Sequence, residues 1–249
     1  MEPLRTRLDR LRLGVPDLDA ATAALDRLGF ATVPLGATGW RGVAFPFEHL
    51  EFEPAAAPAL AAVGVVDTVE RAAANDAAPA TREVTGDARL AFAETPLAAG
   101  ELPLVLARTL TPETLRPAAA LRHPNGALAL TGATCVVAEP EAVARALAGL
   151  FGEAAITRTD AVVAFRQAGA TLLLASARDV ELLHPDLTCT LDDPVPAPRV
   201  VALAVAVGDT ARTADTLSAH GRPVRRRADG SLGTAAPALG LSLEFHAAA

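Results

Sequence analysis

Two short stretches of the 249-residue chain carry carboxylate and imidazole side chains at a spacing of two residues. The first, H-L-E-F-E, contains His49, Glu51 and Glu53, and the second, L-E-F-H, contains Glu244 and His246. On a β-strand, residues two apart project from the same face. Imidazole and carboxylate groups bind divalent metals, and a buried carboxylate can act as a general base. Each stretch therefore offers two metal ligands or one base on a strand face.

A catalytic metal site needs at least three protein ligands and an open position. A third ligand for either strand must come from elsewhere, and His123 supplies one only if its segment folds back over the sheet. We therefore predict no cofactor, with a divalent metal held by His49, Glu51, Glu244 and His246 as the alternative. Glu51 and Glu244 are also the candidate general bases of a metal-free enzyme, with a pKa raised by apolar surroundings.

Three further residues are weighed for a place in a ligand site. His123 lies in H-P-N-G, where Asn-Gly favours a tight turn, so His123 either lines a site or fixes the turn. Turn chemistry alone favours the second role. His184, in H-P-D, has the same two alternatives, with less to support a site. Trp40 is either a pocket wall or, by the more ordinary reading, a strand residue packed in the core.

The elements that must position these residues follow one repeated pattern, which is clearest near the start of the chain. Apolar Leu11, Leu13 and Val15 alternate with polar residues, which predicts a strand. Asp17 is placed to cap the amphipathic helix that follows, and Gly29 is placed to end it. A single strand–helix unit cannot bury its own apolar face, so further copies are expected.

The strand–helix unit recurs at residues 130–152 and 200–221 and, more faintly, from residue 60, where Asp67 is the expected cap. Three short strand candidates, separated by Gly- and Pro-bearing turns, follow each helix. The order is therefore βαβββ four times, which predicts an α+β fold with mixed sheets. The residues expected at equivalent strand ends are Val15, Val65, Val137 and Val207. Those expected to be buried in the sheets are Leu11, Leu13, Val136, Leu203 and Val205.

Composition narrows the class of protein. The net charge of −7 argues against a general nucleic-acid-binding protein, and the run of arginines at residues 225–227 is interpreted as a solvated edge strand. No apolar run approaches the roughly 20 residues that span a membrane, and the N-terminal residues lack a signal-peptide pattern. Cys135 and Cys189 are expected as buried free thiols. We expect a cytoplasmic protein with no membrane or nucleic-acid partner, and a homodimer is an open alternative for its assembly.

The four βαβββ units, with V-P-D-L-D-A-A-T-A-A-L-D-R-L-G-F in the first helix, resemble the vicinal oxygen chelate superfamily and specifically its glyoxalase-like, bleomycin-resistance-like branch. The resemblance covers nearly the whole chain and is strongest at residues 8–30 and 122–137. In that superfamily two modules pair into a curved, cup-shaped sheet, so the resemblance implies two tandem glyoxalase-like domains. The implied boundaries are residues 1–115 (modules about 7–54 and 59–108) and 127–249 (modules about 127–177 and 198–247), with connecting segments at 109–126 and 178–198.

The metal ligands of the superfamily are only partly matched in this chain. They typically include a His on the first strand of a module and a Glu on its last strand. The first-strand positions here are occupied by Arg10, Gly132 and Ala202, and by Leu60 or a neighbouring alanine in the second module. The last-strand Glu is matched by Glu51 and Glu244. The resemblance therefore implies a degenerate metal site.

Arg10 suggests what could replace the metal. A guanidinium does not bind metal, but it pairs with carboxylates in two-pronged fashion. Arg10 could project into the first cup and pair with Glu51, or bind the anionic group of a ligand. Alternatively it faces solvent, since alternation does not say which face is inside. The candidate ligand-binding residues are Arg10, Glu51, His49, Trp40 and His123.

Three functions are compatible with the sequence. The first prediction is a protein of the bleomycin-resistance type that binds or sequesters a small organic ligand in an apolar cup. The second is a metal-dependent lyase, isomerase or dioxygenase of the same superfamily. The third is a metal-free enzyme with Glu51 or Glu244 as general base. Neither sequence nor fold names the ligand.

Overall fold

A computed structural model describes residues 4–35, 39–67, 80–84, 90–184 and 198–248. Two eight-stranded mixed sheets form the framework, each built from two consecutive modules. The first sheet contains β1 (Thr6–Val15), β2 (Val33–Leu35), β3 (Trp40–Ala44), β4 (His49–Pro54), β5 (Ala59–Asp67), β6 (Ala80–Val84), β7 (Leu90–Leu97) and β8 (Leu104–Thr109). Its strand order is β2-β3-β4-β1-β5-β8-β7-β6. The two modules therefore meet where β1 and β5 pair antiparallel.

The second sheet repeats this arrangement. It contains β9 (Ala127–Val136), β10 (Ile156–Arg158), β11 (Val163–Gln167), β12 (Ala170–Ala175), β13 (Arg199–Val207), β14 (Arg225–Arg226), β15 (Leu232–Ala236) and β16 (Leu241–Ala247). Its order is β10-β11-β12-β9-β13-β16-β15-β14, with β9 and β13 antiparallel at the centre. Within each module the first and last strands are parallel neighbours. The predicted α+β fold, with two sheets of paired modules, is confirmed.

Three helices follow the first strands as predicted. They are α1 (Leu18–Arg27), α3 (Pro140–Phe151) and α5 (Thr210–Ala219). Asp17 caps α1 by accepting a hydrogen bond from the Ala20 amide at 2.9 Å, and Asp209 caps α5 in the same way. Gly29 adopts a φ of 74°, which favours glycine and ends the helix. The predicted helix of the second module, which was expected to follow Asp67 and to run to about Asn75, falls outside the described residues, and its capping by Asp67 is therefore not tested.

Two short helices lie in segments that the sequence analysis treated only as connections. They are α2 (Pro112–Leu115), which lies between the two sheets in the chain, and α4 (Ala177–Leu183), which follows β12. Ser176 caps α4 by accepting a hydrogen bond from the Asp179 amide. His184 directly follows α4 as its C-cap.

The apolar core runs continuously through both halves of the chain. The five residues predicted to be buried in the sheets are all 3% exposed or less. The valines predicted at equivalent strand ends are also fully buried, and three of them end a first strand or directly follow it. Cys135 is a buried free thiol, as predicted, whereas Cys189 lies outside the described residues. No helix in the described ranges is long and apolar enough to cross a membrane.

The H-P-N-G loop joins elements of both halves of the chain. His123 accepts a hydrogen bond from the Ala31 amide at Nδ1 (3.0 Å), so Nε2 carries the proton that it donates to the Ala44 carbonyl (2.9 Å). Burial lowers the pKa of His123, against the opposing effect of the Ala44 bond, and this favours the neutral ring. Asn125, fully buried, donates to the Leu28 carbonyl after α1, and its own carbonyl accepts from Thr213 of α5. The loop therefore connects the two halves of the chain through hydrogen bonds, and both ring nitrogens of His123 bond to backbone groups.

Candidate functional site

We call the face of the first sheet that carries Arg10 and Glu51 the first cup. Arg10 lies on β1 opposite His49 of β4 and Gly64 of β5. Its side chain is fully buried, with Nη1 3.4 Å from Glu51 Oε1 and 3.3 Å from Glu94 Oε1. Arg10 therefore forms the predicted pair with Glu51, and the alternative of a solvent-facing Arg10 is wrong.

Gly64 makes room for the Arg10 side chain. A Cβ atom at position 64 would lie 2.6 Å from Arg10 Cγ and 2.8 Å from Nε, closer than such contacts allow. A glycine in a strand interior often marks such a close approach. The glycine was the one sequence signal that could have placed Arg10 inside, and the sequence analysis did not use it.

Glu51 and His49 share the strand face that their spacing predicted. Both are fully buried, and His49 Nε2 lies 3.0 Å from Glu51 Oε1. The His49 ring also stacks on Phe92, with centroids 5.8 Å apart. Trp40 is partly buried and packs against a small apolar cluster that includes Leu35 and Phe92, as in the core alternative. The guanidinium and carboxylate groups described in the first cup therefore pair with one another inside the protein.

We call the face of the second sheet that carries Gly132, Ala202 and Glu244 the second cup. Gly132 of β9 pairs with Ala204 of β13, which in turn pairs with Glu244 of β16. A Cβ atom at Gly132 would lie 2.8 Å from the Thr171 carbonyl oxygen, so any side chain there requires the strands to shift. Neither Gly132 nor Ala202 supplies a ligand atom from its side chain. The centre of this cup is consequently lined by small residues.

A hydrogen-bonded chain of three side chains crosses the second cup. Thr134 Oγ1 lies 2.7 Å from His184 Nε2, and His184 Nδ1 lies 3.1 Å from Glu244 Oε1. An ionised carboxylate only accepts hydrogen bonds, so Nδ1 carries a proton, and in the neutral ring Nε2 then accepts the hydroxyl proton of Thr134. Thr134 comes from β9, His184 from the end of α4 and Glu244 from β16. Three elements distant in sequence therefore build this chain.

Arg227 reaches the same carboxylate from the edge of the sheet. Its Nη2 lies 2.7 Å from Glu244 Oε1. Burial alone would raise the pKa of Glu244, but the hydrogen bonds from His184 and Arg227 and the Arg227 charge outweigh it, so the net pKa is lowered. β14 is an edge strand with exposed Arg225 and Arg226, as predicted for the arginine run. The prediction was wrong for Arg227, which turns inward because the chain leaves the strand at this residue.

Two cavities adjoin the His184–Glu244 pair. The larger has a volume of about 700 Å³, and residues that line it include Arg222, Arg225, Arg227, Val224, Leu243 and Glu244. The smaller has a volume of about 170 Å³, and residues that line it include Gly132, Thr134, Ala202, Ala204, His184 and Glu244. His184 and Glu244 line both. The second cup therefore offers an accessible space beside a carboxylate, an imidazole and several guanidinium groups.

The donor atoms of the described residues do not fit a catalytic divalent metal. Within the described ranges, no group of three His, Cys, Asp or Glu side chains converges as metal ligands would. In the first cup the guanidinium of Arg10 lies beside the Glu51 carboxylate, where a cation would otherwise bind. In the second, Glu244 is held by His184 and Arg227, whereas His246 Nε2 lies 2.6 Å from Thr131 Oγ1. Glu244 and His246 therefore bind different partners, although they lie on the same strand.

Three residues of the second cup were not predicted from the sequence. Thr134 was not considered, His184 was interpreted mainly as a turn residue, and Arg227 as part of a solvated run. A threonine in a strand and an arginine at a strand end carry no distinctive local signal. Only the strand order and the position of α4 bring them to Glu244.

Comparison with solved structures finds the same fold over almost the whole chain. A Mn(II)-bound glyoxalase from Novosphingobium aromaticivorans superposes with a TM-score of 0.60 at 13% identity, covering 97% of this chain and 82% of that one. A 4-hydroxymandelate synthase mutant from Streptomyces coelicolor gives 0.57 at 15% identity, with coverages of 97% and 92%. BphC, a halotolerant catechol dioxygenase, gives 0.57 at 13% identity, with coverages of 98% and 87%.

Sequence comparisons add nothing to this structural likeness. No family model matches the chain, and no curated protein matches it. At 13–15% identity the structural likeness establishes the fold alone. The fold expected from the vicinal oxygen chelate resemblance is confirmed.

Proposed function

We propose that this chain, with the fold of the glyoxalase-like proteins, binds a small organic anion in the second cup without a metal ion. The observation that carries the proposal is the cavity of about 700 Å³, whose lining includes both arginines and apolar residues. A volume of this size is typical of sites for small organic molecules. Arg222, Arg225 and Arg227 outnumber Glu244, so the lining carries excess positive charge. The expected ligand has an apolar body and a carboxylate or similar anionic group.

The geometry of the arginines supports recognition of an anion. Arg227 is anchored by Glu244, and Arg222 donates through Nη2 to the Ala235 carbonyl. Arg222 Nε is buried and makes no hydrogen bond to any residue that the structure describes. Anchored guanidinium groups lose little freedom when an anion binds, and their planar donors match a carboxylate. Val224 and Leu243 supply apolar contact for the rest of the ligand.

The first cup is the weaker candidate for the ligand site. Arg10, Glu51 and His49 are each fully buried and contact one another. An anion that approached Arg10 would compete with Glu51 and Glu94, both within 3.4 Å of Nη1. The charges that distinguish this cup are therefore engaged within the protein.

A metal-dependent lyase, isomerase or dioxygenase remains the second candidate function. It is favoured by the structural likeness to the Mn(II)-bound glyoxalase and the catechol dioxygenase. Glu244 on the last strand is the residue that would hold a metal in the second cup, with His184 beside it. Against it stand Gly132 and Ala202, which offer no ligand at the first-strand positions.

Calorimetric titration with 2-naphthoate and with its neutral analogue 2-naphthamide tests the proposal. Binding of the carboxylate is expected to be stronger than that of the amide. Arg227→Met is expected to weaken naphthoate binding by about tenfold or more, the scale of a lost charge-assisted hydrogen bond. Arg222→Met should also weaken it.

Arg166→Met is the matched control because Arg166 is exposed on β11, toward the other edge of the same sheet. It should leave naphthoate binding unchanged. Equal affinity for naphthoate and naphthamide, or an Arg227→Met protein that binds naphthoate like wild type, would contradict anion recognition at this cavity. A requirement for added Mn²⁺ would favour the second candidate.

A further inference from the structure

We infer that Thr134, His184 and Glu244 form a nucleophile–base–carboxylate unit that hydrolyses small esters in the second cup. The inference rests on the proposed function for its substrate class, an ester whose acyl part carries an anionic group. It goes beyond binding because it assigns a metal-free covalent reaction to three residues.

The order and spacing of the three side chains carry the inference. A nucleophile is activated when its hydroxyl lies within about 2.6–3.2 Å of a base that a third group orients. Thr134 Oγ1 to His184 Nε2 is 2.7 Å, and His184 Nδ1 to Glu244 Oε1 is 3.1 Å. The carboxylate fixes the tautomer in which Nε2 accepts the hydroxyl proton. Each bond of this arrangement thus has the direction that proton removal from Thr134 requires.

The position of the unit gives it access to a substrate. Thr134, His184 and Glu244 line the cavity of about 170 Å³ above Gly132 and Ala202. His184 and Glu244 also line the larger cavity, which contains Arg227. Thr134 is 3% exposed and His184 8%, so the reacting groups lie in a site that largely excludes solvent. The small residues at positions 132 and 202 leave the space that an acyl group needs.

A second threonine–histidine pair on the same strands lacks the third member. Thr131 Oγ1 lies 2.6 Å from His246 Nε2, but His246 Nδ1 faces the Ala247 carbonyl at 3.1 Å. The Thr131 hydroxyl also lies 3.2 Å from the Ala204 carbonyl, to which it can donate. Without a carboxylate on its ring, His246 gains little charge stabilisation as a base. This pair is therefore an internal comparison for the Thr134 unit.

The proposed reaction proceeds in two balanced steps. Thr134 Oγ1 forms a bond to the ester carbonyl carbon while its proton passes to His184 Nε2. The bond from that carbon to the alcohol oxygen then breaks, and His184 returns the proton to the departing alkoxide. Water repeats the sequence on the acyl-threonine, which releases the carboxylic acid and restores the hydroxyl. Glu244 acts as a positioning residue that holds the imidazole and stabilises its charged form.

The test uses mono-4-nitrophenyl succinate, an ester with an anionic acyl part, and the intact wild-type chain. Wild type is expected to release 4-nitrophenolate and, on acid quenching, to carry one succinyl group on the peptide that contains Thr134. Thr134→Val should lower the rate by about 10²-fold or more, because it removes the oxygen that attacks the ester. Thr134→Ser, which keeps the hydroxyl, should retain activity. Glu244→Gln should lower the rate, and Glu244→Asp should recover part of it.

Thr157→Val is the matched control and should keep the wild-type rate, because Thr157 is exposed on the edge strand β10 and is not among the residues that line either cavity. Binding of 2-naphthoate by Thr134→Val establishes that this variant is folded with an intact cup. Hydrolysis by Thr134→Val at the wild-type rate, or succinylation elsewhere, would overturn the inference. Naphthoate binding without any hydrolysis by wild type would overturn it while leaving the proposed function intact. Failure of both would overturn both.

Discussion

The guanidinium of Arg10 lies over the ring of Phe92, with its central carbon 4.4 Å from the ring centroid. Arg10 belongs to β1 and Phe92 to β7, so this cation–π contact joins the two modules of the first sheet. Such contacts strengthen when both groups are removed from water, and both side chains here are fully buried. The superfamily resemblance implies that a metal ion supplies positive charge in this cup. Here the buried guanidinium of Arg10 supplies it instead.

Replacing Arg10 with Met is expected to destabilise the protein by about 3–5 kcal/mol, because Glu51 and Glu94 lose a buried cation. The free energy of unfolding, measured in urea, checks this. The exposed Arg166→Met should change it by no more than about 0.5 kcal/mol. In a double-mutant cycle, Arg10→Met and Glu51→Leu should couple by more than about 1 kcal/mol. Purely additive effects would contradict a functioning Arg10–Glu51 pair.

Adding one methyl group at Gly64 is expected to destabilise the fold by about 1–3 kcal/mol, since its Cβ would overlap the buried stem of Arg10. Gly149→Ala is the opposite case. It lies within α3, and apart from its own helix no described atom lies within 4 Å of the added Cβ, so the substitution should raise the free energy of unfolding by about 0.5–1 kcal/mol. Thermal denaturation of the two variants provides the measurement. A Gly64→Ala variant that is as stable as wild type would show that the Arg10 side chain can move aside.

The purified protein is expected to contain less than one equivalent of metal per chain. The physical reason is that Arg10, Gly132 and Ala202 stand at the first-strand ligand positions implied by the resemblance. Elemental analysis after mild dialysis measures zinc, iron, manganese and nickel. One retained equivalent of any of them would contradict this prediction and favour the metal-dependent alternative.

The lowered pKa of Glu244 predicts a specific loss of stability in acid. Burial alone would raise this pKa. The hydrogen bonds from His184 and Arg227 have the larger combined effect, so the pKa lies below its ordinary value of 4.5. A carboxylate with a lowered folded-state pKa contributes stability that is present above the unfolded pKa and lost as the pH falls through the folded pKa. Between about pH 5 and about 3, wild type should therefore lose stability more steeply than Glu244→Gln.

Urea titrations at a series of pH values make this comparison. The exposed Glu113→Gln serves as the control and should follow the wild-type curve. Parallel curves for wild type and Glu244→Gln would contradict the assignment of Glu244 as an ion-paired carboxylate.

Buried hydrophobic periodicity allowed most of the fold to be predicted from the sequence. The alternation at Leu11 and Leu13 and the cap at Asp17 are local features, so they can be recognised without knowing which strands pair. Repetition of the unit four times then predicted the number of strands. Helices α2 and α4 were not predicted, because they are short and depend on packing against the sheets.

The candidate site was predicted less well, and for a physical reason. Arg10 and Glu51 occupy the first-strand and last-strand positions that the superfamily resemblance brings together, so their pairing followed from that resemblance. The Thr134–His184–Glu244 chain depends on where α4 ends relative to β9 and β16, which is a property of the assembled sheet. Likewise, no local rule shows that Arg227 turns inward from an otherwise exposed run.

The short edge strand β14 has a consequence for the kinetics of ligand exchange. Only two residue pairs, Arg225 with Gly233 and Arg226 with Leu232, hold it against β15. Strands with so few backbone bonds open locally at much lower free energy than the core. Because this strand borders the larger cavity, its fraying would widen the mouth without disturbing the central strands β9 and β13. The opening rate of β14 would then set the rates at which a ligand enters and leaves. Amide hydrogen exchange at β14 would slow when a ligand binds.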